Sequence, residues 1–297
     1  MRQRVARSRQ LVAEGHSPSA VARVARVSRQ ALYRAPRPKR SPQRQLPRGP
    51  VEQAIVEVAK QNPTDGYRMV WALTRRKLGV AVNRKRVLRV MREQGLIQRR
   101  RSVPRRRRPG FFRVERPGQL WHMDMTSIWV AEHGWCYLNA IIDCCTRAIV
   151  GWSLDLRCRA KEAIAVFEGA VATSGFVPDE IHLVAPNHEA AEPRLTLGTD
   201  NGSAFTSRAF RQRLLGRGVR HRRGGYRDPE SQAFIESWFG KLKEREVWLN
   251  EYETLDDARR ALGAYIERYH HRPQSGLNYK TPLEVRQTWE DLQNIAA

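Results

Sequence analysis

From Leu120 onward the chain has the hydrophobic texture of strands. "LWHMDMTSIWV" (120–130) and "WCYLNAIIDCCTRAIVGWSL" (135–154) are rich in aromatic and β-branched residues, and Glu132, His133 and Gly134 read as the turn between them. A helix is expected over 161–173, a short apolar run at 181–184, a strand in "RLTLGTD" (194–200), a helix over 206–215 and a strand over 219–222. The last of these patterns is "DPESQAFIESWFGKLKERE" (228–246): Asp228 can cap a helix, Pro229 suits its first position, and Ile235, Trp238, Phe239 and Leu242 recur at helical spacing. Glu236 falls inside that stripe, either merely solvated or held at the edge of a core for its charge. Strands interleaved with helices predict a mixed α/β body.

Before Leu120 the period is helical. "SPSAVARVARVSRQALYR" (17–34) reads as two short helices with a tight turn: Ser17 and Pro18 open the first, Ser28 caps the second, and Ala22, Ala25, Val27 and Leu32 take the positions a helix-turn-helix buries. Ala25 and Arg26 stand where that turn usually has glycine, so a plain amphipathic helix pair is the alternative. Residues 51–98 form a second helical module, in which Asn83 caps a helix with Val87, Leu88 and Met91 on one face and Arg84, Lys85, Arg86 and Arg89 on the other. The division expected is 1–36 helix-turn-helix, 37–50 Pro/Arg-rich linker, 51–98 second module, 99–118 basic linker, 119–250 α/β core and 251–297 C-terminal helical extension.

Charge sharpens this division. Of the net +24, residues 1–118 carry 32 basic and 6 acidic side chains, whereas 119–297 carry 22 and 24. Such a chain suggests an arm that grips a polyanion and a body that acts on it; a basic tail kept for solubility is the bland alternative, against which the helical patterning counts. Arg29 and Arg34, then Arg84, Lys85, Arg86 and Arg89, then Arg105, Arg106, Arg107 and Arg108 in "RRRSVPRRRRPG" are the candidate contacts to DNA phosphates. No run of about 18 apolar residues occurs and the chain opens without an apolar stretch, so neither a membrane span nor a signal peptide is expected, and a cytoplasmic protein is. Cys136, Cys144, Cys145 and Cys158 have neither disulfide-framework nor zinc-site spacing and read as interior residues.

Three carboxylates stand out by position. Asp124 lies in the middle of an apolar strand, where a carboxylate is costly to bury without a cation. Asp200, before Asn201 and Gly202, taken alone suits an Asx-turn, and Glu236 taken alone suits a solvated helix edge.

Taken together, with 35 residues between Asp200 and Glu236, they resemble the DDE transposases and retroviral integrases, whose ribonuclease H-like core puts two aspartates on strands and a glutamate on a helix. "WHMDMT", "AIIDCCTRAIVGW", "TDNGSAFTS", "ESWFGKLK" and "YHHRPQSGLNYKTPLEV" are similar in order and content to the catalytic subunit of bacterial insertion sequences with two overlapping reading frames, and "GYRMVWALTRRKLG" and "RVLRVMREQGLI" to its amino-terminal helices. The 75 residues between Asp124 and Asp200 exceed the family's usual interval, with the surplus assigned to the loop at 185–193, and Pro229 and Gln232 stand where some relatives carry Tyr and Arg. The resemblance implies a ribonuclease H-like α/β fold and a polynucleotidyl transferase that binds terminal inverted repeats, then cleaves and joins DNA. It implies two Mg²⁺ ions, for which Mn²⁺ can substitute, bridged by Asp124 and held one each by Asp200 and Glu236. It implies a homo-oligomeric synaptic complex on element ends and target DNA, association with the bacterial nucleoid, and room for a partner encoded in an upstream reading frame. Asp143 in "DCCTR" then reads as structural. Lys243, seven residues beyond Glu236, returns to the same helix face and matches a basic residue of the family aimed at DNA, whereas Lys241 is turned away. A nuclease that only hydrolyses and a non-catalytic DNA-binding regulator remain the rival readings.

Overall fold

The computed structural model describes residues 2–33, 49–97, 114–174, 195–224 and 233–296. These fall in two units, Met1–Gly49 and Pro50–Ala297. In the first, α1 (Arg2–Ala13) packs with α2 (Pro18–Ala25) and α3 (Arg29–Tyr33). Arg26 itself takes the left-handed conformation at φ 52° that a glycine was expected to supply, closing α2 through its N–H, and Ser28 Oγ accepts the Ala31 N–H at 3.3 Å to cap α3. Val21, Ala22 and Leu32 are buried as the pattern requires, but Ala25 and Val27 are only half-buried.

The second unit begins with α4 (Pro50–Gln61), α5 (Tyr67–Leu78) and α6 (Arg84–Glu93), which share a core of Ile55, Val58, Val70, Val87, Val90 and Met91. Asn83 caps α6 as expected, its Oδ1 accepting the Lys85 N–H at 2.8 Å.

The sheet is founded on a long hairpin. β1 (Leu120–Val130) and β2 (Gly134–Asp143) pair antiparallel from Trp121 opposite Asp143 to Val130 opposite Gly134. β3 (Ile149–Asp155) adds antiparallel to β2, while β4 (Thr196–Thr199) and β5 (Arg220–Arg223) add in parallel beyond β1, for the order β3-β2-β1-β4-β5. β1 is thus the central strand.

Alternation along the strands sorts the two faces. Ile128, Val130, Leu138, Ala140 and Ile142 meet α10 (Ala233–Arg245) and α11 (Leu255–His270), and Trp121, Met123 and Ile141 meet α7 (Ala160–Ser174), α8 (Ser203–Thr206) and α9 (Arg208–Leu215). The chain closes with α12 (Pro282–Ala296). Residues beyond 250 therefore complete the core, because α11 contributes Ala258, Leu262 and Ile266 to the cluster that α10 packs into.

Two sequence expectations need correction. The helix expected over 206–215 starts two residues later, as α9, because Ser207 is extended at ψ 149° and its hydroxyl caps α9 by accepting the Phe210 N–H at 3.2 Å; the short α8 precedes it. Of the four cysteines, Cys136 and Cys144 are interior but Cys145 and Cys158 are half-exposed. Asp228, Pro229, the run at 181–184 and the 185–193 loop lie outside the described residues.

Candidate active site

Asp124 sits on the central strand opposite Ala140, on the face covered by α10. It is half-buried, and one of its oxygens accepts the Met125 N–H at 2.7 Å. Asp200 follows β4, whose Gly198 is the parallel partner of His122 on β1, so the end of β4 delivers Asp200 beside Asp124. Asp200 Oδ1 accepts the Gly202 N–H at 2.8 Å. The Asx-turn reading of Asp200 is therefore correct for that oxygen. A Cβ at position 202 would stand 3.0 Å from Asp200 Oδ1, so a glycine lets the turn close. Asn201 pins the same turn to the end of β5 by donating to the Gly224 carbonyl at 3.0 Å.

Glu236 stands in the first turn of α10 and is exposed. Its neighbours Ile235, Trp238, Phe239 and Leu242 are buried against β1 and β2, so the helix that carries the carboxylate is fixed by its apolar stripe.

On adjacent strands and the helix over them, the carboxylates of Asp200 and Glu236 come near enough to bear on the charge of Asp124. Burial, and after it the charges of Asp200 and Glu236, push the Asp124 carboxyl up to about 6, against the opposing pull of the Met125 N–H and the Lys243 ammonium. The Lys243 ammonium, two turns beyond Glu236 on α10, also acts on the charge of Asp124. The carboxylates do not close on one another: among the described residues no three acidic or other ligating side chains form a single chelating group. An all-carboxylate set offers the oxygen donors that suit hard divalent cations such as Mg²⁺.

Several supporting residues escaped the sequence reading. His122 lies two residues before Asp124 on the same strand face, is buried, and stacks on Phe234 at 6.3 Å. Burial, then the charges of Arg222 and Arg147, push its imidazole down to about 4, so it stays neutral. Strand alternation from Asp124 was the signal that could have found it. The Thr199 hydroxyl donates to the Asp200 carbonyl at 2.9 Å and meets His221 Nε2 at 2.8 Å, which ties the end of β4 to β5.

Asp143 has the structural role assigned to it. Its Oδ2 accepts from the Gly118 N–H and Trp121 Nε1, and its Oδ1 from the Cys145 and Thr146 N–H groups and the Thr146 hydroxyl.

Lys241 is turned from the Glu236 face, but it is not an idle surface lysine. It is half-buried, and burial followed by the charges of Arg245, Arg147 and Arg272 lowers its pKa.

The candidate DNA contacts are less uniform than the sequence suggested. Arg29 and Lys85 are exposed. Arg86 is paired with Glu52 at 2.5 Å, Arg84 lies over the Trp71 ring at 4.1 Å, and Arg89 lies 3.7 Å from Glu93. Arg34, Arg105, Arg106, Arg107 and Arg108 lie outside the described residues.

With this geometry in place, known proteins can be compared. An Integrase core domain family matches residues 114–229 and a second family of that description matches 217–282, while an HTH-like domain matches 50–108. Transposase InsD of the insertion element IS2 in Escherichia coli is 29% identical over 300 residues, covering 93% of each chain. The transposase of insertion sequence IS904 from Lactococcus lactis is 31% identical over 175 residues, 58% of this chain and 63% of that protein, so that alignment spans less than two thirds of the relative. A simian T-cell lymphotropic virus intasome chain, solved with PP2A regulatory subunit B56 gamma, aligns at 20% identity over 77% of this chain and 73% of that one, with a TM-score of 0.47 that is too loose to carry weight. No helix among the described residues is long and apolar enough to cross a membrane.

Proposed function

We propose that the chain, whose residues 114–229 and 217–282 match Integrase core domain families and which is similar to insertion-sequence transposases, is a DNA transposase whose active site is Asp124, Asp200 and Glu236. What supports this assignment of residues is placement: Asp124 is on the central strand, Asp200 at the end of the adjacent β4, and Glu236 on α10, which covers that face of the sheet. Two divalent ions, Mg²⁺ or in its place Mn²⁺, would supply positive charge for the attacking and leaving oxygens of a phosphodiester. Asp124, Asp200 and Glu236 would hold these ions through their carboxylate oxygens. α10 keeps Glu236 in place through its buried stripe, and Thr199 and Asn201 keep Asp200 in its turn. Lys243 offers an ammonium on the same helix face for a phosphate beside the scissile bond.

In this reading residues 1–36 and 51–98 hold the DNA, with the basic segments between and after them along the backbone, and the substrate is the element's terminal inverted repeats followed by target DNA. The working form is a homo-oligomer bridging two ends in the cytoplasm, on the nucleoid, with room for an upstream-frame partner. Incubating the protein with labelled element ends, target duplex and Mg²⁺ tests this. Products in which element 3′ ends are joined to target are expected. Nicked but never joined products would indicate a hydrolytic nuclease, and no cleavage under any divalent metal would indicate a non-catalytic regulator.

A further inference from the structure

On the side of α10 away from Glu236 lies a group of cations with too few anions. Lys241 and Arg245 are four residues apart and share a face, rotated by about 140° and 180° from Glu236 at 100° per residue. Arg245 donates to Asp65 Oδ1 at 2.8 Å; Arg272, after α11, donates to Asp65 Oδ2 and to Asn62 Oδ1, the latter at 3.0 Å. Asp65 sits between α4 and α5 with its side chain fully buried, so the helical module supplies one anion to the helices of the core. Arg147 completes the group from the β2–β3 turn, its guanidinium packed on the Phe234 ring.

That fork accounts for Arg245 and Arg272, while no carboxylate among the described residues forms an ion pair with Lys241 or Arg147. Asp143 borders Arg147 but already accepts five hydrogen bonds, and the nearby Glu246 is paired with Arg268 at 2.9 Å. Arg147 Nη1, Arg245 Nε and Arg272 Nε are buried and meet no acceptor among the described residues. Burial lowers the pKa of Lys241, Arg147 and Arg272 alike, the direction expected of cations partly withdrawn from water. Surplus charge in such a place is costly, and a bound anion would offset it.

We propose that Lys241, Arg147 and the unpaired N–H groups of Arg245 and Arg272 form a binding subsite for one DNA backbone phosphate, at the seam between the helical module and the catalytic core. The DNA source of that phosphate rests on the transposase reading; the anion site itself does not. A phosphate held there would draw together Asp65's module and the helix bearing Glu236, because both contribute to the same cluster.

The test uses the full-length protein with Lys241→Gln and the charge-conserving Lys241→Arg. In duplex binding, log K against log salt should be shallower by about 0.9 for Lys241→Gln, the contribution of one phosphate, and unchanged for Lys241→Arg. Without DNA, inorganic phosphate should raise the thermal midpoint of the wild type and Lys241→Arg but not of Lys241→Gln. An unchanged slope with Lys241→Gln overturns the DNA subsite, and an unchanged phosphate response overturns the anion site. A Lys241→Gln protein that melts below the wild type without ligand also overturns it, since removing a repelled cation should not destabilise. If the wild type binds no DNA, the transposase reading and the DNA source of the phosphate both fail, while the phosphate arm still decides the anion site.

Discussion

Asp124 carries the conflict built into the site. Its carboxyl is pushed up from an ordinary 3.8 to about 6, so between those values the folded protein holds a proton that the unfolded chain has shed. Stability therefore falls as pH rises through that window, and above pH 6 the whole penalty is present. We predict that Asp124→Asn melts higher than the wild type at pH 7.5 without divalent metal, by on the order of 2 kcal/mol. Added Mg²⁺ should reverse the order by stabilising only the wild type, which thermal denaturation with and without metal would read. Lys243 lowers the Asp124 pKa, so Lys243→Ala should cut end cleavage at least about tenfold. It should also move the acid limb of the pH–rate profile upward, while Lys243→Arg restores it; a drop in rate without a shift in the profile would mean that the lysine acts on DNA alone. At this scale the sequence was informative where a residue violated its own surroundings, as Asp124 does in an apolar strand. It was silent on Thr199 and His221, because their contact joins strands 22 residues apart.

At the scale of elements, α10 is a helix with three working faces. Its apolar stripe fixes it to the sheet, one flank presents Glu236 and Lys243, and the other presents Lys241 and Arg245. The stripe and the first flank follow from 3.6-residue periodicity and could be read in advance. The second flank could not, because its meaning comes from Asp65, 180 residues from Arg245 in the chain. The helix expected over 206–215 begins at Arg208 for a more local reason: one extended residue, Ser207, separates it from the short α8 without disturbing the apolar pattern. Since Phe239 is buried in the stripe, Phe239→Ala should destabilise the protein by about 3–5 kcal/mol and reduce cleavage in proportion to the unfolded fraction. Glu236→Gln, on the exposed flank, should leave the denaturation midpoint nearly unchanged, as chemical denaturation of the two variants side by side would show.

For the whole molecule, the proposed reading assigns gripping to the basic excess before residue 119 and chemistry to the carboxylates after it. The division is not a clean cut, because Arg76 pairs with Glu284 at 2.6 Å and Trp71 packs edge-on to Tyr279 at 5.3 Å, tying the helical module to the chain's last elements. These ties were hidden from sequence reading by their separation along the chain, whereas the charge asymmetry was plain from counting. A protein that grips with this excess should lose DNA affinity steeply with salt, at a slope near −0.9 for each phosphate neutralised. The same slope is expected of Asp124→Asn, Asp200→Asn and Glu236→Gln, measured by anisotropy on duplex DNA. The most direct test of the active site is metal-dependent cleavage of labelled element ends by these three variants at DNA concentrations that saturate binding. All three should bind like the wild type and yield neither nicked nor joined product, whereas substantial Mg²⁺-dependent cleavage by any one of them would contradict its place in the site.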